Sequence, residues 1–165
     1  MTNYIDIDVT KLSYIDDNKY ISILYDNNPL EVYTSLVYCP FGLEKEYNNY
    51  YVKVIENDLS EHLFAKMKEI DYENVKYIEK LTKNKIVNYN SQIFSRQGYK
   101  DFFKLKLPMK TGQFMSEIYN KEGDRKTVYD ILPKSQLKIT YEIDTIWFFK
   151  NKYSSVCKIK KIIIC

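Results

Sequence analysis

Apolar and polar residues alternate with a period of two along most of this chain, and a helical period replaces it in one region. Residues 21–25 and 30–38 are rich in β-branched and aromatic side chains and are separated by the turn sequence Asp26-Asn27-Asn28-Pro29. Cys39-Pro40-Phe41-Gly42-Leu43 breaks the extended run, and residues 50–55 resume it. From about 58 to 82 the spacing changes. Leu59, Leu63, Phe64, Met67 and Ile70 share one helical face behind an N-cap at Asp58 or Ser60, and Val75, Ile78 and Leu81 carry the spacing on to about Thr82. Phe64 and Met67 are expected in the core, and His62 lies off the apolar stripe.

Strands return after Lys85. Residues 102–107 and 113–119 flank a turn at Pro108 to Gly112, Asn120 to Asp124 form a loop tip, and Val128 to Leu132 make one helical turn closed by Pro133. A last hairpin runs along 136–149, turns through Lys150-Asn151-Lys152 and returns along 153–164. The pattern predicts one domain over 1–165, with an N-terminal extension over 1–19 and the helical insertion at about 58–82. Its fold class is mainly β with one or two inserted helices (α+β), arranged as a small closed or partly closed antiparallel barrel with extra strands.

Parity marks the last hairpin as unusual. Leu137, Ile139, Tyr141 and Ile143 lie on one face and Lys138, Thr140, Glu142 and Asp144 on the other, after which Ile146, Trp147, Phe148 and Phe149 are all bulky and apolar. An unbroken register turns Trp147 and Phe149 inward, whereas a bulge near Asp144-Thr145 exchanges the two pairs. Either way two bulky apolar side chains emerge where the strand was polar, and they need a covering segment, a second subunit or a ligand. Lys150, Lys152 and Tyr153 follow, with Lys158, Lys160 and Lys161 on the returning strand. A second stretch combines Arg96, Tyr99, Lys100, Phe102, Lys104, Lys106 and Lys110, with Phe103, Leu105 and Leu107 on the inward face of its strand.

Charge sharpens this reading. Residues 1–75 hold six Lys and fourteen Asp+Glu, a net of 6 − 14 = −8, while residues 76–165 hold nineteen Lys+Arg and eight Asp+Glu, a net of 19 − 8 = +11. The basic half also carries the only tryptophan. Cations interleaved with flat rings suit a polyanion with stackable bases, and a solvated basic surface around an aromatic core is the plain alternative. The three cysteines, Cys39, Cys157 and Cys165, are expected as free thiols in a reducing compartment, and with His62 they have no metal-ligand spacing. No apolar run approaches the ~20 residues of a membrane span, and the N-terminus does not read as a signal peptide, so an intracellular protein without membrane contact is expected.

Two segments resemble a family found across nucleocytoplasmic large DNA viruses. Leu30-Glu31-Val32-Tyr33-Thr34, Cys39-Pro40-Phe41-Gly42-Leu43 and Tyr51-Val52-Lys53-Val54 are similar to its N-terminal signature, and Ile146-Trp147-Phe148, Asn151-Lys152-Tyr153-Ser154 and Cys157-Lys158-Ile159 to its closing hairpin. The layout also resembles viral single-stranded DNA-binding proteins, including that of poxviruses. The resemblance spans roughly residues 20–164 and implies an oligonucleotide-binding (OB-like) barrel, in which a helix is expected between the third and fourth barrel strands. It implies single-stranded DNA as partner, with RNA as the alternative, held at Trp147, Phe148, Lys150, Lys152 and Tyr153. It also implies a role in viral replication, recombination or repair in the host cytoplasm, with the virion as a second location. Viral replication proteins are further partners, for which the acidic half with Asp6, Asp8, Asp16 and Asp17 is the available surface, against a plain solvated acidic surface. Homo-oligomerisation stays open.

An enzyme is not expected, since the chain has no phosphate-binding glycine loop, nucleophile elbow or metal motif, and no cofactor is expected. The competing reading is a structural or interaction protein that uses the aromatic pair as a protein interface.

Overall fold

The computed structural model describes residues 2–165. Its core is a closed ring of β3 (Asn28–Cys39), β5 (Asn49–Ile55), β6 (Phe102–Leu107), β8 (Ser135–Phe149) and β9 (Lys152–Ile164). β3 pairs antiparallel with β5 at Tyr38↔Ile55, and β5 pairs antiparallel with β6 from Tyr50↔Leu107 to Ile55↔Phe102. β6 meets β9 in parallel at Lys106↔Lys158, β9 turns back on β8, and β8 returns to β3 from Cys39↔Ser135 to Leu30↔Ile143. Numbered along the chain, the ring runs first, second, third, fifth, fourth, which makes an OB-like Greek-key barrel of five strands.

Inward-facing positions follow the alternation read from the sequence: Leu30, Val32, Val52, Val54, Phe103, Leu105, Leu137, Ile139, Tyr141, Ile143, Cys157, Ile159 and Ile162 are all buried. The helix α1 (Glu61–Thr82) joins β5 to β6, the second and third ring strands, and not the third and fourth as the resemblance implied. It buries Leu63, Phe64, Met67, Ile70 and Ile78 against the barrel, with the Phe64 ring edge-on to Phe103 at 6.3 Å. Ser60 occupies the N-cap position, but its hydroxyl accepts from the Asn57 N–H and gives no side-chain cap to the helix. Leu59, expected on the apolar face, precedes the helix and is exposed. α1 is one continuous helix to Thr82, so of the one or two helices expected there is one among the described residues.

The remaining strands extend the barrel wall. β1 (Leu12–Asp16) and β2 (Tyr20–Tyr25) form a hairpin whose second strand pairs with β8 at Ile21↔Ile146 and Tyr20↔Trp147. Thr2–Asn3 runs parallel to Val32 and Tyr33, so part of the region 1–19 is paired into the sheet. β4 (Leu43–Glu46) folds back on β5, and β7 (Glu117–Asn120) runs parallel to the end of β9. The expected strand 113–119 is divided, Gln113–Phe114 pairing locally with Met109–Lys110 before β7 begins. Gly42 takes φ +68 where a Cβ would stand 2.7 Å from the backbone of Ile131, Leu132 and Pro133, so the Cys39–Leu43 break closes one end of the barrel. Cys39 and Cys157 are buried free thiols, whereas Cys165 is exposed.

Candidate nucleic-acid interface

The register of the last hairpin decides which rings face out. β8 and β9 pair Ile143 with Cys157 and then Ile146 with Ser155, three residues on one strand against two on the other. The extra residue at Asp144-Thr145 is a β-bulge, and it keeps both Ile143 and Ile146 inward. Trp147 therefore points out, sharing a face with its cross-strand neighbours Ser154 and Tyr20, and Phe149 follows it. Phe148 stays on the side of Ile146, but the strand has by then run past the barrel, so its ring is open too and leans on Tyr153 at 4.6 Å. Trp147, Phe148 and Phe149 are 43%, 51% and 71% exposed, so three rings stand in solvent where parity predicted two bulky apolar side chains. Tyr20 lies 5.3 Å from Trp147 and widens the platform, and the Lys150 ammonium sits 5.3 Å above Phe149.

Next to this platform, on the outward face of β9, β6 and β5, runs a groove. Its floor includes Ser154 and Val156 of β9, Lys104 and Lys106 of β6 and Tyr51 of β5, and the segment from Tyr89 to Ser95 forms one wall. Ser154 is the cross-strand partner of Trp147, so the platform and the groove are continuous. The Phe94 and Phe102 rings stack at 5.0 Å and 8°, with the Lys53 ammonium 5.3 Å from Phe102. Lys104 lies 4.0 Å over the Tyr51 ring and pairs with Glu46, whose carboxyl is held below its ordinary range chiefly by that hydrogen bond. Burial, then the Glu46 charge, pushes the Tyr51 phenol above its usual value. Lys106 has no ion pair among the described residues. The groove lining has two lysines and no carboxylate.

The sequence-predicted residues divide into sets. Trp147, Phe149, Lys150 and Lys152 gather at the exposed hairpin end, with Phe148 and Tyr153 on its other face. Phe102, Lys104 and Lys106 lie along the groove, and Arg96, Tyr99 and Lys100 occupy the exposed loop before β6, with the Arg96 guanidinium 5.0 Å over Tyr99. Lys110 lies in the small hairpin past the far end of β6, away from Trp147. Lys158 and Lys160 do not ring the aromatic platform. Lys158 reaches Asp144 at 3.4 Å, and Lys160, the extra residue of a second bulge, reaches Glu31 and Glu142 at 3.3 Å each. Those two contacts, Glu142 first, raise the Lys160 pKa. Both lysines line a different depression together with Lys161, Glu31, Glu117, Glu142 and Asp144, where carboxylates outnumber lysines.

Sequence reasoning missed Tyr20, Tyr51, Lys53, Phe94 and the polar wall Asn90–Gln92. Lys53 and Tyr51 alternate outward on a strand whose parity was read, and that signal was available. The wall consists of two-residue strands, which leave no periodic trace.

The fold and the groove define a class of architecture, an OB-like barrel with a basic, aromatic outer face. No protein-family model matches the chain, and no curated protein sequence matches it. Solved structures do resemble it. The single-stranded DNA-binding protein gp2.5 of bacteriophage T7 is 13% identical over 81% of this chain and 90% of its own, with a TM-score of 0.53. The single-stranded DNA-binding protein of bacteriophage Enc34 in complex with ssDNA is 11% identical over 94% and 95%, with a TM-score of 0.55, and a second structure of that protein gives 12%, 93%, 89% and 0.56. At these identities the likeness is one of fold.

Proposed function

We propose that this protein binds single-stranded DNA, with little sequence preference and without catalysis, by stacking bases on Trp147 and its neighbours and passing the backbone along the groove over Lys106. One observation carries this reading: the groove that continues from the exposed tryptophan is lined by rings and lysines and has no carboxylate. A polyanion is attracted there, whereas the neighbouring depression with four carboxylates repels it. The likeness in fold to phage proteins that bind single-stranded DNA, one of them in complex with it, supports DNA as the ligand. The resemblance of residues 30–55 and 143–164 to a large-DNA-virus family supports a viral setting. There the protein protects exposed strands during replication, recombination or repair in the host cytoplasm, with replication proteins meeting its acidic N-terminal region.

Trp147 is the only tryptophan, so its fluorescence reports directly on the platform. Titration with an unstructured oligonucleotide at two ionic strengths should quench it, with affinity falling steeply as salt rises. Absence of quenching together with salt-insensitive behaviour would reject DNA binding and favour a protein interface centred on Trp147.

A further inference from the structure

Behind the groove wall lies a cluster of polar groups that the binding face itself does not use. Asp71 of α1 is partly buried and has no ion pair among the described residues. Its Oδ1 accepts from the Tyr89 hydroxyl at 2.8 Å, and its Oδ2 accepts from the Ser91 hydroxyl. The Ser91 hydroxyl in turn accepts the Ile93 N–H at 3.0 Å. Tyr89 Oη has one proton, which goes to Asp71, so its lone pairs take the Asn74 amide at 3.0 Å and the Ser155 hydroxyl at 3.0 Å. Asn74 Oδ1 accepts from Tyr14 Oη at 2.7 Å. With Asp71 ionised, every one of these protons has an acceptor. The set ties the helix, β1 and β9 to the segment that forms the groove wall.

We infer that Asp71 is a positioning residue for the groove: through Tyr89 and Ser91 its carboxylate holds the segment 89–95 against the barrel in the arrangement that presents Phe94 and the polar wall to a bound strand. This rests on the reading of the groove as a DNA site. A protonated Asp71 aims an O–H at one of the two hydroxyls, which must then redirect its own proton, so the wall loses a bond to a charged acceptor and loosens. Burial raises the Asp71 carboxyl above its ordinary 3.8, an effect larger than the opposing hydrogen bonds from Ser91 and Tyr89. The titratable groups facing it are Tyr89 on the wall, Tyr14 on β1, Tyr141 on β8 and Cys157 on β9, all shifted upward by burial, with Glu73 of its own helix beside Tyr14. Within this cluster, Asp71 is the carboxylate that acidification would neutralise.

The test is oligothymidylate binding by the full chain from about pH 8 to about pH 5, a range in which phosphodiesters and lysines keep their charge. Wild-type affinity should fall on acidification. Asp71→Asn, which presents an N–H to one of the two hydroxyls, should bind about tenfold more weakly near neutrality, on the scale of one lost charged hydrogen bond. It should also be flat across that range and keep the wild-type salt slope, because no phosphate contact is removed. Stability separates positioning from mere folding. The folded pKa lies above the unfolded one, so through this group acidification toward 3.8 favours the fold while it weakens binding. Urea melts should therefore show wild type gaining on Asp71→Asn as the pH falls. Tyr89→Phe, which keeps the ring and removes the bridge, gives a second reading should Asp71→Asn not fold, and should share its weaker binding. Wild-type binding matched by both variants at every pH overturns this proposal alone, as does binding that falls only in step with stability. Failure of the wild type to bind overturns the groove reading and this proposal together.

Discussion

Whether a lysine beside an aromatic ring is available to a phosphate depends on what else its ammonium group touches. Lys160 lies between Glu31 and Glu142, and Lys158 leans on Asp144, whereas Lys150 and Lys152 stand at the open hairpin end. Replacing Lys150 and Lys152 together with Ala should flatten the logarithmic salt dependence of DNA binding by about 1.4, since each neutralised phosphate contributes about 0.7 for a single strand. Lys160→Ala should leave that slope nearly unchanged, because its charge is already compensated within the protein. Trp147→Ala should weaken binding by roughly 1–3 kcal/mol at constant slope, as it removes a stacking surface and no counterion site. Titrations of the three variants over a salt series check all of this, and equal slopes throughout would refute the assignment of roles. None of these distinctions is visible in the sequence, where Lys158 and Lys160 look like Lys150 and Lys152. One of the two acids that hold Lys160, Glu31, lies 129 residues away, and only closure of the barrel brings it near.

At the scale of elements, what the sequence shows depends on how far its pattern repeats. The strands around 21–25, 30–38, 50–55 and 102–107 and the long hairpin repeat their alternation for several residues, and each is found. The helix stop is less obvious: Lys83 ends α1 in the left-handed conformation, φ 58 and ψ 20, where glycine is the usual residue. Lys83 is exposed, so Lys83→Gly should relieve the Cβ penalty and raise stability by about 0.5–1 kcal/mol in urea unfolding, with DNA affinity unchanged. The bulge at Asp144-Thr145 shows the opposite limit. Parity indicated that an extra residue would exchange the Ile146/Phe148 and Trp147/Phe149 pairs, but residues 146–149 are all apolar and do not report the phase, so the outward choice of Trp147 and Phe149 required the pairing itself. The groove wall was illegible for a related reason: Tyr89–Asn90 and Ile93–Phe94 are too short to alternate, and the polar network behind α1 positions them.

The division of charge along the chain does not become a division of the molecule. Glu31 and Glu46, from the acidic half, reach Lys160 and Lys104 from the basic half, so closing the barrel mixes the two and leaves excess positive charge only where acids are missing. The seam between β6 and β9 is such a place. Those strands meet in one registered pair, Lys106↔Lys158, with both side chains on the outward face, Lys106 in the groove and Lys158 in the neighbouring depression. Lys158 finds Asp144, but Lys106 faces a like charge across the strand that completes the ring. On the proposed DNA-binding reading, a bound phosphate backbone would relieve that repulsion, so the arrangement would give up stability of the free protein for affinity. Lys106→Met keeps the length of the side chain and removes its charge. In the free protein it should raise stability by a few tenths to about 1 kcal/mol, the scale of a cross-strand pair. It should also weaken oligonucleotide binding and lower the salt slope by about 0.7, one phosphate's worth. Thermal melts of the two proteins with and without oligonucleotide make the comparison directly: Lys106→Met should melt higher alone and gain less from DNA, because stabilisation by a ligand follows its affinity. A variant that melts lower alone, or gains as much from DNA as wild type does, would show that Lys106 is not the phosphate contact at the seam.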